Sequence, residues 1–177
     1  MSQDAIIWKC RTTLRKFKAD YAAYVEQFGP VDGPARFYAE QSPHEERVIE
    51  GNMLQQQGIL ALFNLLTGAA ETAFSNANSY IGVGNSATGA ADTDGGLLGA
   101  SKLYKGMEAT YPIVGALADK KCTWRSVFAD SEANFVWAEW TVASGNSDAA
   151  DNLNRKVDAL GTKTGGSWQL TVEISLA

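Results

Sequence analysis

A chain of 177 residues with 45% hydrophobic and 10% aromatic side chains carries enough apolar mass for one sizeable packed core, which excludes a disordered chain. Its net charge of -5 makes nucleic acid a poor partner. The single histidine, His44, stands between Pro43 and Glu45 in a charged segment and offers little basis for a zinc site or a histidine-assisted nucleophile.

The charge is unevenly spread. Residues 1–20 hold Lys9, Arg11, Arg15, Lys16 and Lys18 against Asp4 and Asp20, a net +3 that leaves -8 for the rest of the chain. Two readings stand: an arm that meets something acidic, or a solvated edge strand whose cations discourage sheet-to-sheet aggregation. In the same region "AIIWKCRTTLRKF" alternates with period two, with Ile6, Trp8, Cys10, Thr12 and Leu14 on one face and Ile7, Lys9, Arg11, Thr13 and Arg15 on the other. Tyr21, Tyr24, Val25 and Phe28 then recur at helical spacing, and Gly29, Pro30, Gly33 and Pro34 are expected to end that helix. Residues 29–47 read as an irregular connector. "ERVIEGN" reads as a strand, followed by a helix with Leu54, Leu62, Leu65 and Leu66 as its stripe, Asn52 as N-cap and Gly68 as stop. Gly58 inside that helix costs about 1 kcal/mol relative to Ala and marks a close contact or a kink.

From residue 79 the text is β. "SYIGVG" is a strand, a Gly-rich loop follows, and "KLYKGMEATYPIVG" brings a further strand or short helix broken at Pro112. In "KKCTWRSVFAD" Cys122, Trp124 and Phe128 share a face. Period two in "ANFVWAEWTVAS" puts Phe135 and Trp137 on one side and Val136, Ala138, Trp140 and Val142 on the other, a strand covered on both faces. "LNRKVDAL" and "SWQLTVEISLA" complete the set. Cys10 and Cys122, which form no C-x-x-C pair, read as buried small hydrophobes rather than a disulfide.

The loop "IGVGNSATGAADTDGG" invites a phosphate or metal reading, and each version fails at the residues that carry the chemistry. Ala87 stands where a dinucleotide fingerprint needs its third glycine, Ala90 and Ala91 where a P-loop needs Lys and Ser/Thr, and Leu103 where a calcium loop needs its bidentate Glu. The loop is therefore expected to be a surface connection, ordered only by a neighbouring subunit or partner. Asp130, Glu132, Glu139 and Asp158 lie near aromatics, as glycosidase carboxyls do, but strand alternation turns the adjacent Trp140 away from Glu139. Trp124, Trp137, Trp140 and Trp168 alternate with aliphatic residues as core side chains do, with Trp140 as the candidate for an exposed, sugar-stacking position.

The ordered set "GNMLQQQGILALFNLLTG", "FSNANSYIGVGNSATGAADTDGGL", "KLYKGMEATYP", "TWRSVFADSEANFVWAEWTVAS" and "LNRKVDALGTKTGGSWQLTVEISL" resembles small virion structural proteins of tailed bacteriophages, over residues 50–177 or so. The stretch "SGNSDAADN" departs from that pattern, which bears on the local hairpin. The resemblance implies a head-decoration, cement or fibre-associated role and brings no catalytic, cofactor or metal residues.

Together these readings predict a mainly β protein with an α+β N-terminal region: an antiparallel β-sandwich or barrel-like core, a basic N-terminal strand and two short helices. Residues 1–78 would form the arm strand, helices and connector that attach to the virion, and residues 79–177 the sandwich domain, with a core that the two regions can share. The expected function is non-enzymatic: capsid decoration or cement that stabilises the shell by repeated contacts. The alternatives are a tail or collar protein that attaches a fibre, and a carbohydrate-binding module. The virion contact is assigned to Trp8, Lys9, Arg11, Arg15 and Lys16. The partners are the major capsid protein or another virion protein and copies of the chain itself, with a host-surface glycan as a further candidate and neither nucleic acid nor membrane. No cofactor is expected. The first residues lack the pattern of a secretory peptide, and "GILALFNLLTGAA" is shorter than the roughly 20 residues that span a bilayer, so synthesis in a bacterial host cytoplasm is expected.

Overall fold

The computed structural model describes residues 8–176; Ile6 and Ile7, assigned above to the first strand, lie outside the described residues. In chain order the elements are β1 (Trp8–Phe17), α1 (Tyr21–Glu40), β2 (Glu45–Glu50), β3 (Met53–Leu54), α2 (Gln56–Thr67), β4 (Tyr80–Gly84), β5 (Lys102–Gly106), β6 (Ile113–Val114), β7 (Lys121–Phe128), β8 (Val136–Ala143), β9 (Asn154–Thr162) and β10 (Ser167–Leu176). They form two five-stranded antiparallel sheets, ordered β2-β1-β10-β7-β6 and β3-β9-β8-β4-β5. This is the mainly β sandwich with two helices that the strand periodicities predict.

β1 is not an edge strand. It lies between β2 and β10 and pairs with β10 from Trp8↔Leu176 to Phe17↔Ser167. Its alternation holds: Cys10, Thr12 and Leu14 are buried, while Lys9 and Arg11 are exposed. Cys10, Leu14 and Ile49 from before residue 79 join Ile81, Val83, Trp137, Trp140, Leu170 and Val172 in one hydrophobic core. A hydrogen bond from Trp140 Nε1 to Thr12 Oγ1 (3.1 Å) ties the two sheets together within it. Both cysteines are free, and the register explains why they stay so. Cys10 and Cys122 flank Ile174 from opposite sides, two inter-strand spacings of about 4.8 Å apart, beyond disulfide reach.

β8 departs from strict alternation. Its pairing with β9 slips between Trp137 and Glu139, and this bulge adds a residue that turns both Trp137 and Trp140 into the core, instead of to opposite faces as period two requires. Trp137 meets Phe128 and Trp168 edge-on, with ring centroids 4.7 and 4.9 Å away.

The helices correct the expected boundaries. α1 begins where predicted, with Asp20 accepting the Ala22 N–H, but Gly29 (φ 83°) interrupts the helix without ending it. Pro30 directly after the break opens a second helical segment, where its missing N–H needs no partner. A Cβ on Gly33 would lie 2.6 Å from the Tyr24 carbonyl oxygen, so the two segments pack backbone to backbone there. That contact folds "ARFYAE" back as helix, bringing Phe37 against Phe17, Tyr21 and Tyr24. α1 thereby covers one end of the first sheet, where Tyr38 Oη accepts from the buried Gln169.

α2 is capped by Gln55 without a side-chain bond; Asn52, the predicted cap, instead accepts the Trp8 indole N–H at 2.9 Å. Gly68 closes the helix in the left-handed conformation, as predicted. Gly58 marks a close contact, since a Cβ there would sit 2.6 Å from Leu153 Cα. The side facing the protein is therefore Gly58, Ala61 and Leu62, while Leu65 and Leu66 of the expected stripe are exposed.

Candidate interaction surfaces

The basic strand meets acid within its own chain. The register sets Arg11 opposite Glu50, Arg15 opposite Glu46 and Lys16 opposite Glu45 on β2. The corresponding ion pairs measure 3.8, 2.7 and 2.8 Å. Lys16 is nearly buried and lies 4.3 Å over the Trp168 ring, which strengthens its hold on that site. Trp8 is half-buried and bonded to Asn52. The five residues assigned to a virion contact therefore lie along one strand, with Lys9 exposed and without a carboxylate partner among the described residues.

The Gly-rich loop between β4 and β5 does cradle a carboxylate, and it belongs to the protein itself. Fully buried Glu139 on β8 accepts the backbone N–H groups of Gly99 (2.6 Å), Leu98 (3.1 Å) and Ser86 (3.3 Å). Fully buried Arg155 on β9 completes the arrangement: it reaches Glu139 Oε2 at 2.7 Å and Asp94 at 2.8 Å, and donates to the carbonyl of Thr88 at 3.0 Å. Glycine is required at two positions here, because a Cβ at Gly84 or Gly99 would run into the Glu139 carboxylate. Asp148 supplies a second clamp, accepting from Tyr104 Oη (2.6 Å) and the Leu97 N–H (3.3 Å) and pairing with Lys102. Burial raises its carboxyl, but bonds from Lys102 and Tyr104 outweigh that and hold it below the usual carboxylate range. Intrachain contacts thus order the loop, correcting the expectation that only a neighbour would do so. Arg155 and Asp148 were not singled out by the sequence reading; a lone arginine inside an otherwise strand-like "LNRKV" is the signal that could have marked the first.

The other carboxyls considered for catalysis have separate partners. Asp130 accepts the Gly166 N–H (2.6 Å), Glu132 pairs with Lys105 (2.6 Å) and Asp158 with Arg47 (2.8 Å). Trp124, Trp137, Trp140 and Trp168 are all buried, so Trp140 is no exposed stacking position. No helix among the described residues is long and apolar enough to cross a membrane.

Two apolar features remain open. α2 turns Leu60 (60% exposed), Phe63 (60%) and Leu66 (80%) outward, within a stretch, residues 51–70, that contains no charged residue. Beside it a cleft of about 570 Å³ is lined by Trp8, Leu62, Val114, Leu117, Trp124 and Ile174. Leu117 is 95% exposed at its mouth, and the buried Trp124 indole N–H has no hydrogen-bond partner among the described residues. No protein-family model, curated protein or solved structure matches this chain.

Proposed function

We propose that this chain is a non-enzymatic bacteriophage virion structural protein, a decoration or cement component that binds the assembled capsid and adds stability through many repeated contacts. The observation that carries the reading is the outward stripe Leu60, Phe63 and Leu66 on α2. Contiguous exposed apolar surface is costly in water and marks a site of protein association. Because the surrounding stretch is uncharged, copies of a chain with net charge -5 can approach there without placing like charges in contact. The exposed side of β1, with Lys9 at its end, is the electrostatic complement for an acidic shell, although Arg11, Arg15 and Lys16 already share carboxylates with β2. Repetition over a shell turns individually weak contacts into firm attachment.

Counting copies in purified particles tests this. Hundreds of copies, comparable to the major capsid protein, support decoration; six to some tens move the assignment to a tail or collar position. Absence from particles overturns the virion role.

A further inference from the structure

We infer that the cleft between α2 and the turn after β6 receives an extended apolar strand of a neighbouring polypeptide, flanked by an acidic residue, which adds to the free edge of β6. The inference rests on the reading of this chain as an assembly protein, and it specifies how one of its contacts is made.

Three observations define the occupant. The walls are apolar: Trp8, Leu62, Val114, Leu117, Trp124 and Ile174 offer burial to side chains that alternate along a strand. The cleft also adjoins unpaired backbone. β6 ends its sheet, bonded on one side to β7 through Ile113↔Thr123 and Val114↔Cys122, and its other side has no partner strand among the described residues. Val114 belongs both to this edge and to the cleft wall, so one segment can pair with the edge and bury its side chains. Finally, Trp124 is 5% exposed and its indole N–H lacks an acceptor among the described residues, an arrangement that costs free energy until a carbonyl is brought to it. A strand supplies carbonyls at every residue; a hydrocarbon chain supplies none.

The acidic flank follows from the mouth. Lys120 and Lys121 both line it, and Lys121 is paired with Glu173 at 2.9 Å. Lys120 has no carboxylate partner among the described residues, and its carbonyl is held by the Leu176 N–H, which fixes its backbone at the rim.

The test uses the full chain, labelled with nitrogen-15, and the peptide acetyl-Thr-Ile-Thr-Ile-Asp-amide. The Trp124 indole signal, identified by its loss in Trp124→Phe, is expected to shift saturably with peptide. Leu117→Asp, at a position too exposed to affect folding, should weaken binding by about tenfold or more. Lys120→Glu should weaken it by a smaller factor, and replacing the peptide's Asp with Asn should do the same. Methylating the peptide's backbone nitrogens should abolish binding, since it removes the donors that pair with an edge. The inference is overturned by the absence of any shift at millimolar peptide, by binding indifferent to Leu117→Asp, or by equal binding of the methylated peptide. It is also overturned if laurate saturates the cleft and the peptide does not, which would make this a site for a small amphiphile. Particle copy number is a separate measurement, so failure of the strand leaves the virion reading standing and the two failures are told apart.

Discussion

Glu139 and Arg155 form a 2.7 Å ion pair between neighbouring strands with both side chains wholly shielded from water, and together they hold the loop from residue 85 to residue 101 against the sheet. Removing one partner of such a pair strands an uncompensated charge, at a cost of about 3–5 kcal/mol. Glu139→Ala should therefore lower stability by about that amount in urea unfolding. The loop should also become a preferred site of limited proteolysis, since its anchor for the Gly99, Leu98 and Ser86 N–H groups is gone. Unchanged stability would show that the loop does not depend on this carboxylate.

Trp137 is a folding residue. It is fully buried, stacked edge-on between Phe128 and Trp168, and its indole N–H is satisfied by the Ala133 carbonyl at 2.9 Å. Trp137→Ala should cost about 3–5 kcal/mol and yield insoluble or molten protein, visible as loss of near-ultraviolet circular dichroism.

Gly58→Ala separates helix propensity from packing. Propensity alone favours Ala by about 1 kcal/mol, but the added methyl would meet Leu153 Cα and its carbonyl oxygen, both at 2.6 Å. Both are backbone atoms and cannot rotate away, so the variant should melt below the wild type in calorimetry.

Charge reversal on β1 should be felt within the fold as well as outside it. In the triple variant Lys9→Glu, Arg11→Glu, Arg15→Glu, two of the new carboxylates stand opposite Glu50 and Glu46. Exposed pairs of this kind are worth about 0–1 kcal/mol each, so a modest drop in melting temperature is expected, partly restored by adding Glu46→Lys and Glu50→Lys. The same triple variant should fail to load onto particles. Normal occupancy would show that β1 is not the electrostatic contact.

Burial raises the Cys10 thiol to about 12 from an ordinary 9.0, only partly offset by its contact with Thr12. The folded protein keeps the thiol neutral while the unfolded chain ionises it. Its contribution is thus complete below about pH 9 and is lost as pH rises toward 12. Wild type should lose stability relative to Cys10→Ala across that alkaline window. In the native state Cys10 should resist thiol reagents at pH 8, whereas denaturation exposes it.

What the amino-acid order determined by itself was local. Period-two runs such as Trp8–Phe17 and Ser167–Leu176 specified strands and their buried faces, because a pleated backbone sends alternate side chains to opposite sides. Gly68 marked the end of α2 because only a residue without a Cβ adopts the left-handed conformation at no steric cost. Tertiary structure decided whatever depended on a partner distant in sequence. The Glu45, Glu46 and Glu50 side chains that meet the basic strand lie more than 25 residues from it, joined by register alone. The bulge beside Glu139 exists only in the pairing of β8 with β9, so no periodicity could place Trp137 and Trp140 on one side. Gly29, Pro30, Gly33 and Pro34 read as a helix terminator, but the close backbone approach at Gly33 turned them into the corner between two helical segments. The Gly-rich loop shows the same division: its residues excluded a phosphate or metal cradle and read as a surface connection, and only the folded chain, by bringing Arg155 and Glu139 beneath it, showed the carboxylate it holds.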